Sequence, residues 1–362
     1  MLAAAPAAGG PAELRCSLAD ARINESSGVA AASWSDDVVF THNDSGDSAR
    51  FFAVDARTCA TRAVFSVRGA TNVDWEDMAR GSAADGTPVL WLADIGDNLA
   101  TRSSVVVYEV AEPGASAAGG TVPVRNRWTL QYPDGPRDAE TLLVDPETSR
   151  AVLVSKDAAA GRSRAYRVPA AGSGVLEALA PLDVKALGGG AFGRPSWSVT
   201  GGATSPDRRA VVLRTYLGAW VWASSPAEPL AAVLARPPEQ LEIPLGRQAE
   251  AMSFTRSGSG VWITSEGAAA PLHLIPLGTT AAVPPTTTTA PTTPSAAPAV
   301  ASPDVVSPDV AFPAVAFPDV DDAAPRIRSV ALRIVVAAGA VLLVAAAALA
   351  VFLRKPTGAR RR

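Results

Sequence analysis

Across residues 13–277 short apolar runs alternate with short polar turns, and one order recurs: an apolar run, a turn, a second run, a polar loop and a third run. The copies read "NESSGVAAASWSDDVVFTHNDSGDSARFFAVD" from Asn24, "WEDMARGSAADGTPVLWLADIGDNLATRSSVVVYEV" from Trp75, "AETLLVDPETSRAVLVSKDAAAGRSRAYRV" from Ala139, "VTGGATSPDRRAVVLRTYLGAWVWA" from Val199 and "AEAMSFTRSGSGVWITSEGAAAPLHLIPL" from Ala249. The runs favour Val, Leu, Trp and Ile and the turns Gly, Pro, Asp and Ser, which is hairpin chemistry. Helical periodicity is absent from this region.

Fourth runs stand between copies, as in "AVFSV" at Ala63, "RWTLQY" at Arg127 and "LDVKAL" at Leu182. Units of about 50 residues with four strands are blades of a β-propeller, an all-β ring that leaves only short sheet edges. The fifth copy has three runs, so "ELRCSLADARI" at 13–23 supplies the missing strand and closes the ring. The pattern predicts five four-stranded blades. A six-bladed ring would need a cryptic blade in the short, Gly-rich stretch 169–196, and a β-sandwich would leave unexplained why an acid recurs at one repeat position.

Composition divides the rest of the chain. Residues 334–353, "IVVAAGAVLLVAAAALAVFL", hold 20 residues without a charge, enough for a helix to cross about 30 Å of hydrocarbon. Basic residues follow at 354–362, predicting a cytoplasmic C-terminus and an extracytoplasmic N-terminal domain, although Arg326, Arg328 and Arg333 on the other flank blur the asymmetry. No LPxTG-like sorting motif precedes the span, so it reads as a lasting single-pass anchor in the cell membrane. Residues 279–325 are rich in Pro and Thr, predicting an extended, disordered stalk. The start, "MLAAAPAAGGPAE", reads as the remnant of a signal peptide or as a disordered segment over 1–12.

Cys16 and Cys59 are the only cysteines; in an oxidising compartment they are expected to pair. A formal net charge of −3 gives no reason to expect nucleic acid as a partner.

Glu25, Glu76, Glu140 and Glu250 stand near the start of the first run of their copies, with Thr200 at the corresponding place in the fourth. First strands line the channel of a propeller, so these glutamates are expected to face one another. The second strand returns to the same mouth, bringing two D-x-G-D loops (Asp44, Gly46, Asp47 and Asp94, Gly96, Asp97) with His42, Asn43 and Asn98, and also Lys156, Asp157, Arg214 and Glu266. Carboxylates converging on one cavity are tolerated by a hard cation, by raised pKa values or by salt bridges. Calcium suits an oxygen-rich set almost devoid of His, with Glu25, Glu76, Glu140, Glu250, Asp44 and Asp94 as ligands. Alternatively, the glutamates accept backbone N–H bonds from the neighbouring blade.

The strand starts "ESSG", "WEDM", "AETL" and "AEAM" and the loops "HNDSGD" and "LADIGDN" resemble those of secreted actinobacterial β-propellers and, more distantly, of phytase-like and SMP-30/gluconolactonase-like propellers. The resemblance implies a divalent metal at an acidic channel mouth and, in some members, hydrolysis of phosphate esters or lactones. No G-x-S-x-G elbow, P-loop or Cys/His zinc spacing is present. The expected function is therefore a surface-displayed module that binds or scaffolds an extracellular ligand or protein, the alternative being a metal-dependent extracytoplasmic hydrolase.

Overall fold

The computed structural model describes residues 10–145, 147–156, 162–184, 198–244 and 248–278. The stalk, the apolar span, the basic tail, most of the 1–12 segment and Asp157 lie outside the described residues. Among the described residues no helix is long and apolar enough to cross a membrane.

Among the described residues the fold is all-β apart from one short helix. After β1 (Glu13–Ser17), four strands form a first antiparallel unit: β2 (Ser26–Ala31), β3 (Val38–Asn43), β4 (Arg50–Asp55) and β5 (Thr61–Arg68). The second unit is β6 (Trp75–Ser82), β7 (Pro88–Asp94), β8 (Val105–Ala111) and β9 (Gly120–Gln131). The third is β10 (Ala139–Val144), β11 (Ala151–Ser155), β12 (Arg162–Arg167) and β14 (Glu177–Asp183), the two-residue β13 (Gly174–Val175) pairing instead with β9. The fourth is β15 (Val199–Thr204), β16 (Ala210–Thr215), β17 (Gly218–Ala223) and β18 (Glu239–Leu241), with the helix α1 (Leu230–Leu234) before its last strand. β19 (Met252–Phe254), β20 (Gly260–Ile263) and β21 (Pro271–Pro276) form the fifth, completed by β1.

The first strands pack in a closed cycle: β2 on β6, β6 on β10, β10 on β15, β15 on β19, and β19 on β2. This is a propeller-like arrangement. β2, β3, β11 and β16 are buried at every residue because both sheet faces are covered by neighbouring units, so they read as mostly small and apolar runs, broken near their ends by His42 and Asn43 in β3 and by Arg214 in β16. The outer β5 is covered less evenly and alternates buried with more exposed positions. The outer edges of the first two units are joined by an unexpected parallel pairing of Phe65–Arg68 with Gly120–Pro123.

Five hydrophobic clusters fill the seams between units. Phe40, Phe51 and Phe65 meet Trp75, Leu90 and Tyr108 in the first, and Phe52 and Val54 meet Trp262 and Leu272 in the last. Trp91, Trp220, Trp222 and Trp262 are core residues, as their apolar strands suggest. α1 adds Leu230, Val233 and Leu234 to the seam between the third and fourth units. Its five residues are too few for a helical period to show in the sequence.

Cys16 on β1 is bonded to Cys59 in the β4–β5 turn, with Cα atoms 5.6 Å apart and a sequence separation of 43. The bond ties the strand that completes the fifth unit to the first unit, where the cycle closes. The bond thus locks the seam where β1 completes the fifth unit against the first.

Candidate functional site

The first two strands of a unit run antiparallel, so the start of one and the end of the next share a mouth. In four units the pairing skips one residue near the start of the first strand: Ser27, Glu76, Glu140 and Thr200. A bulge of this kind re-aims the skipped side chain. Glu250, two residues before Met252, occupies the corresponding place in the fifth unit, as Glu76 does before Met78. The inner tier is therefore Ser27, Glu76, Glu140, Thr200 and Glu250, and its glutamates are only 3–4 % exposed.

Ser27, not Glu25, holds the first unit's place in that tier. Glu25 lies two residues earlier, level with Asp74 and Asp138, where its carbonyl accepts the Asp44 N–H at 2.9 Å. The equivalent bonds run from Ile95 N–H to Asp74 and from Lys156 N–H to Asp138. Glu25 also bridges through its backbone to Glu266. Aligning the first two copies on their D-x-G-D loops misplaces the first by one residue, because Asn43 pairs at the level of Asp94.

The inner tier is knitted together by hydroxyls and one amine. Ser27 Oγ donates to the Glu76 carbonyl at 2.8 Å and lies 3.3 Å from Glu250 Oε2 and 3.4 Å from Glu76 Oε2. Tyr216 OH donates to Glu250 Oε1 at 3.2 Å. Lys156 Nζ pairs with Glu140 Oε1 and lies 3.7 Å from Asp138 Oδ2. Tyr216 and Asp74 belong to this mouth although neither stood among the expected site residues. Tyr216 directly follows Thr215, which pairs with Val199, just as Lys156 follows Ser155; the repeat register is the signal that reveals it.

Asp44, Asp74 and Glu76 each offer a carboxylate oxygen within 4.8 Å of the others. That is the span of two oxygen ligands about 2.4 Å from a shared cation, so the group can hold a metal ion. Gly96 makes this approach feasible, since a Cβ there would collide with the carboxylates of both Glu76 and Asp74. Asp44 Oδ1, Asp94 Oδ2 and Glu140 Oε2 are buried atoms without a hydrogen-bond partner.

Burial and mutual repulsion hold protons on these acids. Burial, reinforced by Asp74, pushes Asp44 up to about 7. Burial raises Glu140 to about 7 even against the Lys156 ammonium. It raises Glu250 to about 9, with Glu140 and Glu266 adding to the effect. Glu76 is driven well above the carboxylate range by burial and then by Glu140, Asp44, Asp74 and Glu250. Each proton marks a place where a cation would relieve the same repulsion.

The remaining expected residues have structural partners. Asp94 pairs with Arg102 at 2.9 Å and accepts the Asp74 N–H at 3.1 Å, so it supports the acidic group from behind. Asp97 accepts the N–H groups of Thr101 and Arg102, and the exposed Asn98 follows it in the same loop. Asn43 bridges Arg22 and Asp47, and Asp47 pairs with Arg50 at 2.8 Å. His42 and Arg214 occupy matching second-strand positions opposite Gly28 and Gly201; a Cβ at Gly28 would collide with the His42 ring, and one at Gly201 with the Glu250 carbonyl oxygen. His42 stacks edge-on against Trp75, and its burial depresses its pKa to about 4. Arg214 donates to the carbonyls of Ala251 and Thr264, while burial lowers its guanidinium to about 10.

Backbone N–H acceptance across a seam, the alternative role for the glutamates, belongs instead to Asp77. Its Oδ2 accepts the Leu142 N–H and its Oδ1 accepts the Met78 N–H, both at 2.8 Å. Among the described residues the carboxylates of Glu76, Glu140 and Glu250 accept no such bond. No family model and no curated protein matches this chain.

Proposed function

We propose that this protein is a five-bladed β-propeller, displayed outside the cell on a stalk and a single membrane span, that binds an extracellular ligand or protein through a calcium ion at its acidic mouth. The observation that carries the reading is the convergence of Asp44, Asp74 and Glu76 to within 4.8 Å, beside the unpartnered Oε2 of the buried Glu140. All candidate ligands are hard oxygens, which suits calcium better than zinc or copper. The cross-seam disulfide suits an oxidising compartment. In the sequence, the Pro/Thr-rich segment and the uncharged 334–353 stretch suit display.

A cation that binds only the native state stabilises it by RT ln(1 + [L]/Kd), about 2.7 kcal/mol at a hundredfold excess over Kd. Calcium should therefore raise the melting temperature above its value in chelator; coincident melting curves would remove the cation from the reading. A hydrolytic reading is favoured by one feature, the placing of the Lys156 ammonium and the Tyr216 hydroxyl beside the carboxylates. Calcium-dependent turnover of a phosphate-ester or lactone substrate would decide for the hydrolase over the binding module.

A further inference from the structure

The opposite end of the axial channel has the opposite character. A cavity of about 530 Å³ is lined there by residues at or just beyond the ends of all five first strands: Ala31, Ser82, Val144, Thr204 and Phe254 mark the five contributions. Ser82 lies six residues beyond Glu76 on β6, so this mouth is about 20 Å from the acidic tier at 3.3 Å per strand residue. Arg80, Arg208 and Arg256 line it, with the hydroxyls of Ser33, Ser149, Ser205 and Ser253 also present.

These guanidiniums are incompletely matched by acids. Among the described residues neither Arg80 nor Arg208 has a carboxylate within ion-pair distance. Arg80 is partly buried, and its single hydrogen bond is a long one of 3.4 Å to the Ala32 carbonyl. Arg208 donates to Ser149 Oγ at 2.7 Å. Arg256 has an exposed partner, Asp36, at 3.2 Å. Glu112 accepts the Ser33 N–H at 2.6 Å and is raised by burial; burial lowers Arg80, and its charge is only partly supported by Glu112 and Asp36, with Arg256 opposing them. A partly buried guanidinium without an acid in a polar cavity calls for an anion.

We propose that this basic mouth is a binding site for a small oxyanion, a phosphate or a polycarboxylate, held by Arg80 at the centre and by Arg208 and Arg256 at the rim. Planar guanidiniums bind both oxyanion types through paired N–H donors. The site is independent of the acidic mouth, so it stands or falls without the calcium reading.

The test is calorimetric titration of the full chain in mild detergent, with chelator present, using inorganic phosphate in one arm and citrate in the other against chloride at equal ionic strength. Binding of either oxyanion above chloride is expected, and the arm that responds identifies the class. Arg80→Met should weaken that binding at least tenfold while Arg80→Lys retains part of it. Arg256→Gln, an exposed change that leaves the core untouched, should weaken it severalfold. No binding above chloride in either arm, or unchanged binding in both Arg80→Met and Arg256→Gln, would overturn the proposal.

Discussion

The protons trapped at the acidic mouth make the cation-free protein's stability depend on pH in a stated direction. A carboxyl raised in the folded state keeps its proton after the unfolded chain has lost it, so stability falls as pH rises from the unfolded pKa through the folded one. Above about pH 6.5 the unfolded carboxylates are already ionised and the unfolded His42 is at least half deprotonated, so its opposite contribution adds back under about 0.5 kcal/mol over the rest of the range. Between about pH 6.5 and 9 the folded state still releases protons from Asp44 and Glu140, at about 7, and from Glu250, at about 9. At about 1.4 kcal/mol per proton per pH unit, Glu250 alone corresponds to a loss of about 3 kcal/mol over this window, and Glu140 to under about 1. Water entry and shared protons reduce the sum, leaving a fall of about 2 kcal/mol, or roughly 4–8 °C in melting temperature. The assay is thermal unfolding in chelator across this range, repeated in saturating calcium and with Glu250→Gln. Calcium displaces the protons and should flatten the slope, and Glu250→Gln should flatten it without calcium. A melting temperature that stays level or rises from pH 6.5 to 9 in chelator would refute the reasoning.

Replacing Cys16 and Cys59 by Ser removes a bond across 43 residues and should cost about 4 kcal/mol on the chain-entropy account; reductant should have the same effect on the native protein and none on the variant. Gly96→Ala drives a methyl group into the Glu76 and Asp74 carboxylates, so it should cost about 1–3 kcal/mol and abolish stabilisation by calcium. Arg214→Met strands the Ala251 and Thr264 carbonyls in the core; it should destabilise by about 2–3 kcal/mol, equally in calcium and in chelator. A larger loss in calcium would place Arg214 in the cation site instead.

The strand units were legible because strands packed between two sheets are mostly apolar beyond their mouth ends, and each turn must carry residues that tolerate sharp reversal. The missing strand of the fifth unit was legible as well: "ELRCS" is a short strand-like stretch with no copy of its own, and β1 completes that sheet. Of the acidic mouth, Glu76, Glu140 and Glu250 could be read from the repeat. Glu25 was misplaced in the ring, because "ESSG" fits the repeat in two registers and only the bulge at Ser27 decides between them. Asp74 was left out of the ligand set because it precedes its strand, and Tyr216 was passed over because a tyrosine in an apolar run resembles core. His42 and Arg214 were expected at the mouth from their places near the ends of second runs, yet their roles, His42 against Trp75 and Arg214 on the Ala251 and Thr264 carbonyls, are visible only once strands are packed.

Calcium binding to the acidic mouth is the central claim, and isothermal titration of the chelator-treated protein at pH 7 measures it most directly. Asp44 and Glu140 hold protons at about 7 and Glu250 at about 9, so binding must expel protons. The measured enthalpy should then vary with the ionisation enthalpy of the buffer. The account predicts one calcium ion bound per chain, net proton release, and loss of both with Glu76→Gln. The absence of saturable binding in the wild-type protein, or binding that Glu76→Gln leaves unchanged, would contradict it.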